Sequence, residues 1–366
     1  MERYSIEVAK ESDDADLREV LRETQMKGNI SLSFETEPSF FKSIAILGEK
    51  QTVLSIREVK KDKIIGFLIR STKNVFIDGE IEKVGYLSSI RLLEEYRGGR
   101  LLIQGNKELK KLLEKSKERI NFTTIIEDNI YAKKIIAKSR AGLPNYIPIG
   151  VNITFAIKPI KKSRYKTHNN IKIQKGINGF SMNEIVDFIN THGKKKNFFP
   201  VCSEQIFQKN YLKDFNSKDF YLAHKDNKIL GVIGTWDQSK FKQTIVKGLS
   251  LKYKALRLIN NYLLTYIINT PIISNINEKI NALYINFIAI ENNDNNVFSS
   301  LIDAISIQNS DKSYNYFLIG IDQNDPLCKS MEKFKSFTYN AVIYLVNYSK
   351  EIIQSKKVNY LEISRL

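Results

Sequence analysis

The chain reads as an α/β (α+β) protein built from two similar units in tandem, each a mixed, mostly antiparallel sheet flanked by helices. Three observations lead there. Val84 to Leu93 is apolar and alternating, a strand, and it runs through the basic turn Tyr96-Arg97-Gly98-Gly99-Arg100 into a segment where Leu101, Leu102, Leu109, Leu112 and Leu113 recur at helical spacing. Phe122 to Asn129 then reads as a second strand, with Ala132 at the start of a further helix. At 366 residues and 42% hydrophobic content, the chain can bury two ordinary cores.

The remaining elements of the first unit fall in order. Tyr4 to Val8 is the first strand. Ser12 is a suitable N-cap for a helix whose first turn holds Asp13, Asp14 and Asp16, where carboxylates complement the dipole. Leu17, Val20 and Leu21 form its buried stripe, and Gly28 is a plausible stop. Thr52 to Val59 and Ile64 to Ile69 pair as a hairpin around Lys60-Lys61-Asp62-Lys63. After the helix at Ala132, Gly142-Leu143-Pro144 breaks the chain and Val151 to Ile157 closes the sheet, completing a unit over 1–158.

Residues 159–170 combine a proline, a charge run and polar residues without periodicity, and read as a basic linker. Beyond it, over 171–366, the order of elements repeats. Ile171 to Gln174 is a short strand, and Ser181 with Glu184 has capping-box spacing ahead of Ile185, Phe188 and Ile189. Asp219 to His224 and Lys228 to Trp236 form a hairpin around Asp226-Asn227. Ala282 to Ile290, a helix after Asn296 and Tyr316 to Ile321 finish the copy. Where the first unit has Tyr96 to Arg100, the second has Glu291-Asn292-Asn293-Asp294-Asn295-Asn296, with no glycine or base. The cluster Trp236-Asp237-Gln238 with Phe241-Lys242-Gln243 lines either a cleft between units or an exposed hairpin end.

A strand that passes through a Gly-containing basic turn into a helix can bind phosphate. The backbone is accessible there, the first N–H groups of the helix are unpaired, and the dipole favours an anion. Strand, "YRGGR" turn, helix, strand, "EDN" followed by Ala132, helix: this order resembles the core of the GCN5-related N-acyltransferases. The resemblance implies acyl transfer from acetyl-CoA or another acyl-CoA, with acetyl the expected group, to a small-molecule or peptide amine by direct attack. It implies a donor site at Ile90, Arg91, Leu92, Arg97, Gly98, Gly99, Arg100, Leu101 and Asn129. A backbone amide there would polarise the thioester carbonyl. The family's usual general-acid tyrosine falls at Ile136 and its early-strand carboxylate near Tyr86. Glu82, Glu127, Tyr131 and Tyr146 are therefore the available acid–base groups. The second unit would be a degenerate copy that binds no donor.

Composition bounds the rest. Cys202 and Cys328 are too few for a disulfide framework, and His168, His192 and His224 show no ligand spacing, so no metal is expected. Met1-Glu2-Arg3-Tyr4 is not a signal peptide, and the apolar run Ile259 to Ile273 is interrupted by Asn260, Asn261, Asn269 and Pro271. A cytoplasmic protein is the expectation. The net charge of +17 comes with abundant Ile and Asn, and its lysines interleave with glutamates on the helix after Arg100, a solvated face rather than a nucleic-acid footprint. The rival readings are a module that binds or senses acyl-CoA without catalysis and a basic nucleic-acid-binding protein.

Overall fold

Alternating apolar segments become strands and amphipathic ones become helices in nearly the predicted order. The computed structural model describes residues 3–136, 143–161, 171–208, 212–267, 270–348 and 357–366. The first half contains β1 (Tyr4–Val8), α1 (Asp14–Glu23), β2 (Ile30–Glu35), α2 (Phe40–Ile44), β3 (Lys50–Glu58), β4 (Lys63–Ile77), β5 (Glu80–Leu92), α3 (Gly99–Glu114), β6 (Asn121–Ile126), α4 (Ile130–Ile136) and β7 (Asn145–Ile157). The second contains β8 (Lys172–Lys175), α5 (Met182–Gly193), β9 (Phe199–Pro200), β10 (Phe220–Lys225), β11 (Lys228–Asp237) and β12 (Gln243–Leu249). It continues with α6 (Leu251–Ile259), a π-helical turn (Asn260–Leu264), α7 (Thr265–Ile267), β13 (Lys279–Ile280), β14 (Ala282–Ile290), α8 (Asn295–Gln308), β15 (Tyr316–Asp322) and β16 (Ser336–Asn347).

Local chemistry explains several boundaries. Leu17, Val20 and Leu21 are buried as the α1 stripe, each contributing about 1.5–3 kcal/mol. α1 starts later than Ser12 because residues 11–13 form a 3-10 turn in which Asp13 accepts from Lys10 N at 2.8 Å. It ends before Gly28, at Thr24, whose hydroxyl bonds Val20 O at 2.6 Å and whose amide closes the last turn. The Ser181/Glu184 capping box is present. Asp226 and Asn227 both adopt positive φ (48° and 58°), the geometry a two-residue hairpin with right-twisted strands requires.

The sheets of the two halves are one sheet, in the order β1-β3-β4-β5-β6-β16-β7-β15-β14-β11-β10-β8, with β9 paired to β4. The expectation that Val151 to Ile157 closes the first unit is corrected here. β7 pairs with β15 and β16, while β16, from the second half, takes the place beside β6. Each half thus completes its sheet with a strand from the other. A second sheet, β13-β12-β2, joins the halves again through Gln243↔Glu35 to Leu249↔Ile30. The Trp236–Gln243 cluster lies inside this junction. Trp236 is buried with Nε1 donating to Lys213 O at 2.8 Å, and the Gln243 amide bridges both backbone groups of Glu37. Residues 162–170, most of the proposed linker, and Gly142 lie outside the described residues. Among the described residues no helix is long and apolar enough to cross a membrane, and no cluster of His, Cys, Asp or Glu could hold a metal ion.

Candidate functional site

β5 and β6 run parallel but are bonded only from Gly85↔Asn121 to Leu87↔Thr123. The Thr123 hydroxyl donates to Leu87 O at 2.7 Å, and past that point the strands part. β5 stays with β4 and bulges: Ser88 faces Ile69 and Arg91 faces Phe67, so Ser89 and Ile90 share one position opposite Leu68. Ser89 carries the kink, with φ 50°. A bulge turns backbone groups out of the ladder and re-aims the strand. The Ile90 side chain, 59% exposed, stands free at the opening.

The opening leads to the N-terminus of α3. Its N-cap, Gly98, is extended (φ 178°), so no left-handed strain demands a glycine, and a Cβ there would meet nothing within 4 Å. What the glycine provides is an uncovered helix end: no side chain caps the first amides. Two guanidinium groups converge beside it. Arg91 Nη1 donates to Thr24 O at 3.4 Å, while its buried Nε has no hydrogen-bond partner. Burial, and then the Arg97 charge, lower Arg91 to about 10. Arg97 Nε donates to Leu92 O at 3.3 Å. Adjacent like charges at the positive end of a helix repel one another, and a polyanion bound there would relieve them.

The paired stretch of β5 and β6, ahead of the split, is enclosed by residues far away in sequence. Tyr86 OH and Thr124 Oγ1 lie 2.9 Å apart, and Lys73 Nζ stands 5.2 Å over the Tyr86 ring and 5.4 Å over that of Phe122. Burial chiefly, with Arg365 adding to it, pushes Lys73 down to about 7. Leu361 and Leu366 pack on the same rings. Lys242 Nζ donates to Ser364 O at 3.1 Å and Leu366 O at 3.5 Å, and burial lowers it to about 8. Glu49, Lys73, Cys202, Phe287 and Arg365 line a small cavity between the halves.

The structure brings together Ile90, Arg91, Leu92, Arg97 and Gly98 between the bulge and the start of α3. Glu127 follows β6 at the open end of the split, and its Oε2 accepts from Asn340 Nδ2 at 3.0 Å. Other residues are placed differently. The Leu101 side chain is core, so only its backbone faces the helix end. Asn129 caps α4 by accepting from Ala132 N at 3.0 Å. Glu82 is exposed opposite Val75, eight residues before Ile90 and thus roughly 26 Å from the bulge along the strand. Tyr146 packs with Leu87, Leu109 and Val346 beneath α3, and burial pushes its phenol up to about 12. It sits on β7, which β16 separates from β6. The side chains of Arg100 and Tyr131 lie outside the described residues. Sequence reasoning singles out Lys242 within the Trp236–Gln243 cluster but passes over Lys73 and 357–366; the polar run Ser71-Thr72-Lys73 in β4 offers a signal for the first of these.

The second half repeats the device residue by residue. β14 and β15 are parallel from Ala282↔Tyr316 to Ile285↔Ile319 and then part. Asn286 faces Gly234 and Ala289 faces Val232, with Phe287 at φ 51° in the bulge. Here the bulge amides are taken: Phe287 N donates to Glu362 Oε1 at 3.1 Å and Ile288 N to Tyr360 OH at 3.0 Å. The helix end is taken as well, because Asp294 Oδ1 accepts from Asn296 N and Val297 N at 2.7 and 3.2 Å.

No family model matches the sequence, and no curated protein does. The fold has clear neighbours among solved structures. Two crystal structures of Saccharomyces cerevisiae N-myristoyltransferase with bound myristoyl-CoA align with TM-scores of 0.61 and 0.62 at 11% and 10% identity. They match 96% and 99% of this chain and 80% and 88% of theirs. A third, with bound myristoyl-CoA and inhibitors, aligns at 0.58 and 10% identity over all of this chain and 84% of its own. At this level of identity the likeness is one of fold, and the chain shares the fold of these structures over nearly its whole length.

Proposed function

Given the tandem N-acyltransferase fold, we propose that this chain transfers an acyl group from acyl-CoA to an amine, with a single donor site along the β5–β6 split. The observation that carries the reading is the combination of bulge, parted strands and uncapped, doubly basic helix end, present once and blocked in the second copy. The pyrophosphate would lie on the amides after Gly98 beside Arg91 and Arg97. The pantetheine would follow Ser88 to Leu92, and the bulge amides at Ser89 and Ile90 would face the thioester oxygen as it gains charge. An attacking amine must first lose a proton. We assign that proton to Glu127, which follows β6 past the point where the strands part.

We propose a long acyl chain rather than acetyl, because the fold's neighbours hold myristoyl-CoA. The acceptor is a peptide or small-molecule amine. The test is calorimetric titration and turnover with acetyl-, octanoyl-, myristoyl- and palmitoyl-CoA against a panel of peptide and polyamine acceptors. Binding with turnover of the longer donors is the expected outcome. Binding without turnover would make the protein an acyl-CoA-binding module, and failure to bind any donor would overturn the reading.

A further inference from the structure

An ordinary surface helix of a globular protein buries an apolar stripe and presents its polar face to water. The continuous helix from Leu251 to Ile267, through α6, the π turn and α7, does the reverse. α6 buries none of its residues. Leu251 is 85% exposed, Tyr262 77% and Ile267 68%, and Leu258, Ile259 and Leu263 are each more than half exposed. Leu251, Leu258 and Tyr262 fall at spacings of seven and four, one side of the helix. Ile272 and Ile276, also exposed, extend the apolar surface past the helix.

The charge carried by this segment is of one sign, with the Glu278 carboxylate after it bonded to Asn275 beside Arg257. From Gln238 to Asn277 the sequence holds no Asp or Glu, but it has Lys240, Lys242, Lys247, Lys252, Lys254 and Arg257. Lys252 and Lys254 are exposed beside the apolar stripe, and Arg257 is tied to the Asn275 side chain. A helix with exposed Leu, Ile and Tyr on one side and an excess of exposed cations flanking them matches the interface of an anionic bilayer. The apolar side enters the acyl boundary, and the lysines meet the headgroups. The alternatives fit less well. A second copy docked on this face would bring Lys252 and Lys254 of both copies together, with Glu278 already engaged by Asn275 and Arg257. A nucleic-acid backbone would leave the leucines and isoleucines in water.

We infer that Leu251–Ile267 is a membrane-surface element that holds the protein on anionic lipid, lying in the interface without crossing it. The inference stands on the exposed helix alone and does not depend on the proposed reaction. Co-sedimentation with phosphatidylcholine vesicles, and with phosphatidylcholine vesicles containing phosphatidylserine, tests it directly. The whole chain should partition at least about tenfold more strongly onto the anionic vesicles. Lys252→Glu with Lys254→Glu should lower that partition by roughly twentyfold or more, since each cation near such a surface is worth about fivefold. Leu258→Glu with Tyr262→Glu should lower binding similarly while leaving the thermal melt unchanged, because both side chains are already solvated. Three results would overturn the inference: no partition onto either vesicle, a dimer in light scattering that Leu258→Glu with Tyr262→Glu dissolves, or retention on a duplex oligonucleotide that anionic vesicles do not displace.

Discussion

Ser89 and Phe287 hold the same place in two copies of one strand, each kinked at a φ near 50°, each two residues after parallel pairing ends. Around them the same backbone has been put to opposite uses. Arg91 in the first copy corresponds to Ala289 in the second, and the N-cap Gly98 to Asp294. One change removes a cation. The other supplies a carboxylate that satisfies the helix amides from within. The chain's own Tyr360 and Glu362 then satisfy the bulge amides. Backbone geometry alone therefore does not make a ligand site. The open copy is the one whose polar groups the chain leaves unsatisfied.

The largest effect expected from this contrast involves the matched positions Lys73, on β4, and Gln238, just past the end of β11, both buried. Burial depresses Lys73 from 10.5 to about 7, so the unfolded chain binds more protons than the folded one between those values. Its contribution to stability must rise as pH climbs from about 7 toward 10. Lys73→Met should flatten that rise and add on the order of 3–5 kcal/mol below pH 7, read by urea denaturation across pH. Gln238→Met should change stability equally at every pH. A slope that survives in Lys73→Met would mean that the lysine is not the group responsible.

Gly98→Glu should abolish the thermal stabilisation by acyl-CoA, about 2.7 kcal/mol at a hundred times the dissociation constant, with the unliganded melt nearly unchanged. Asp294→Gly, which uncovers the second helix end, should not create a second site, because the bulge beside it remains filled. Calorimetry giving two donors per chain in that variant would break the comparison. Tyr360→Phe strands the Ile288 amide in a buried position and should cost about 1–3 kcal/mol in chemical denaturation. No loss there would mean that the tail merely lies over the bulge. The smallest effect is expected at Asn129. As a helix cap, its replacement by Ala should cost about 1 kcal/mol of stability and leave donor affinity within twofold. A tenfold loss of affinity would make it a ligand instead.

What the sequence disclosed was local. Alternation gave β5 and β6, leucine spacing gave α3, and the Gly-Gly turn between them marked the open helix end. The difference of the second copy is legible in Glu291 to Asn296, which lack a glycine or base, and the structure gives the two carboxylates their roles: Glu291 is paired with Lys228 at 2.7 Å, and Asp294 acts as a cap. What stayed hidden depends on partners distant in the chain. Nothing in Ser336–Asn347 specifies β6 and β7 as its neighbours, since a half-buried alternating strand can pair with many others. β2 and β12 meet only across the two halves. Lys73 becomes unusual only once Phe122 and Arg365 enclose it. Asn129 at the start of α4 and Glu82 far from the bulge show a simpler limit: residue type alone does not distinguish a helix cap from a ligand, or one end of a strand from the other.

The reciprocal strand exchange has a consequence for the order of events on the ribosome. β6 waits for β16, which is made roughly two hundred residues later, on the order of ten to forty seconds at ordinary elongation rates. Throughout that interval β6 is an unpaired edge, and the nascent first half cannot close. This chain must therefore emerge nearly whole before either half is secure, and a chaperone that shields strand edges would be expected to raise its yield more than it does for proteins whose domains finish one at a time.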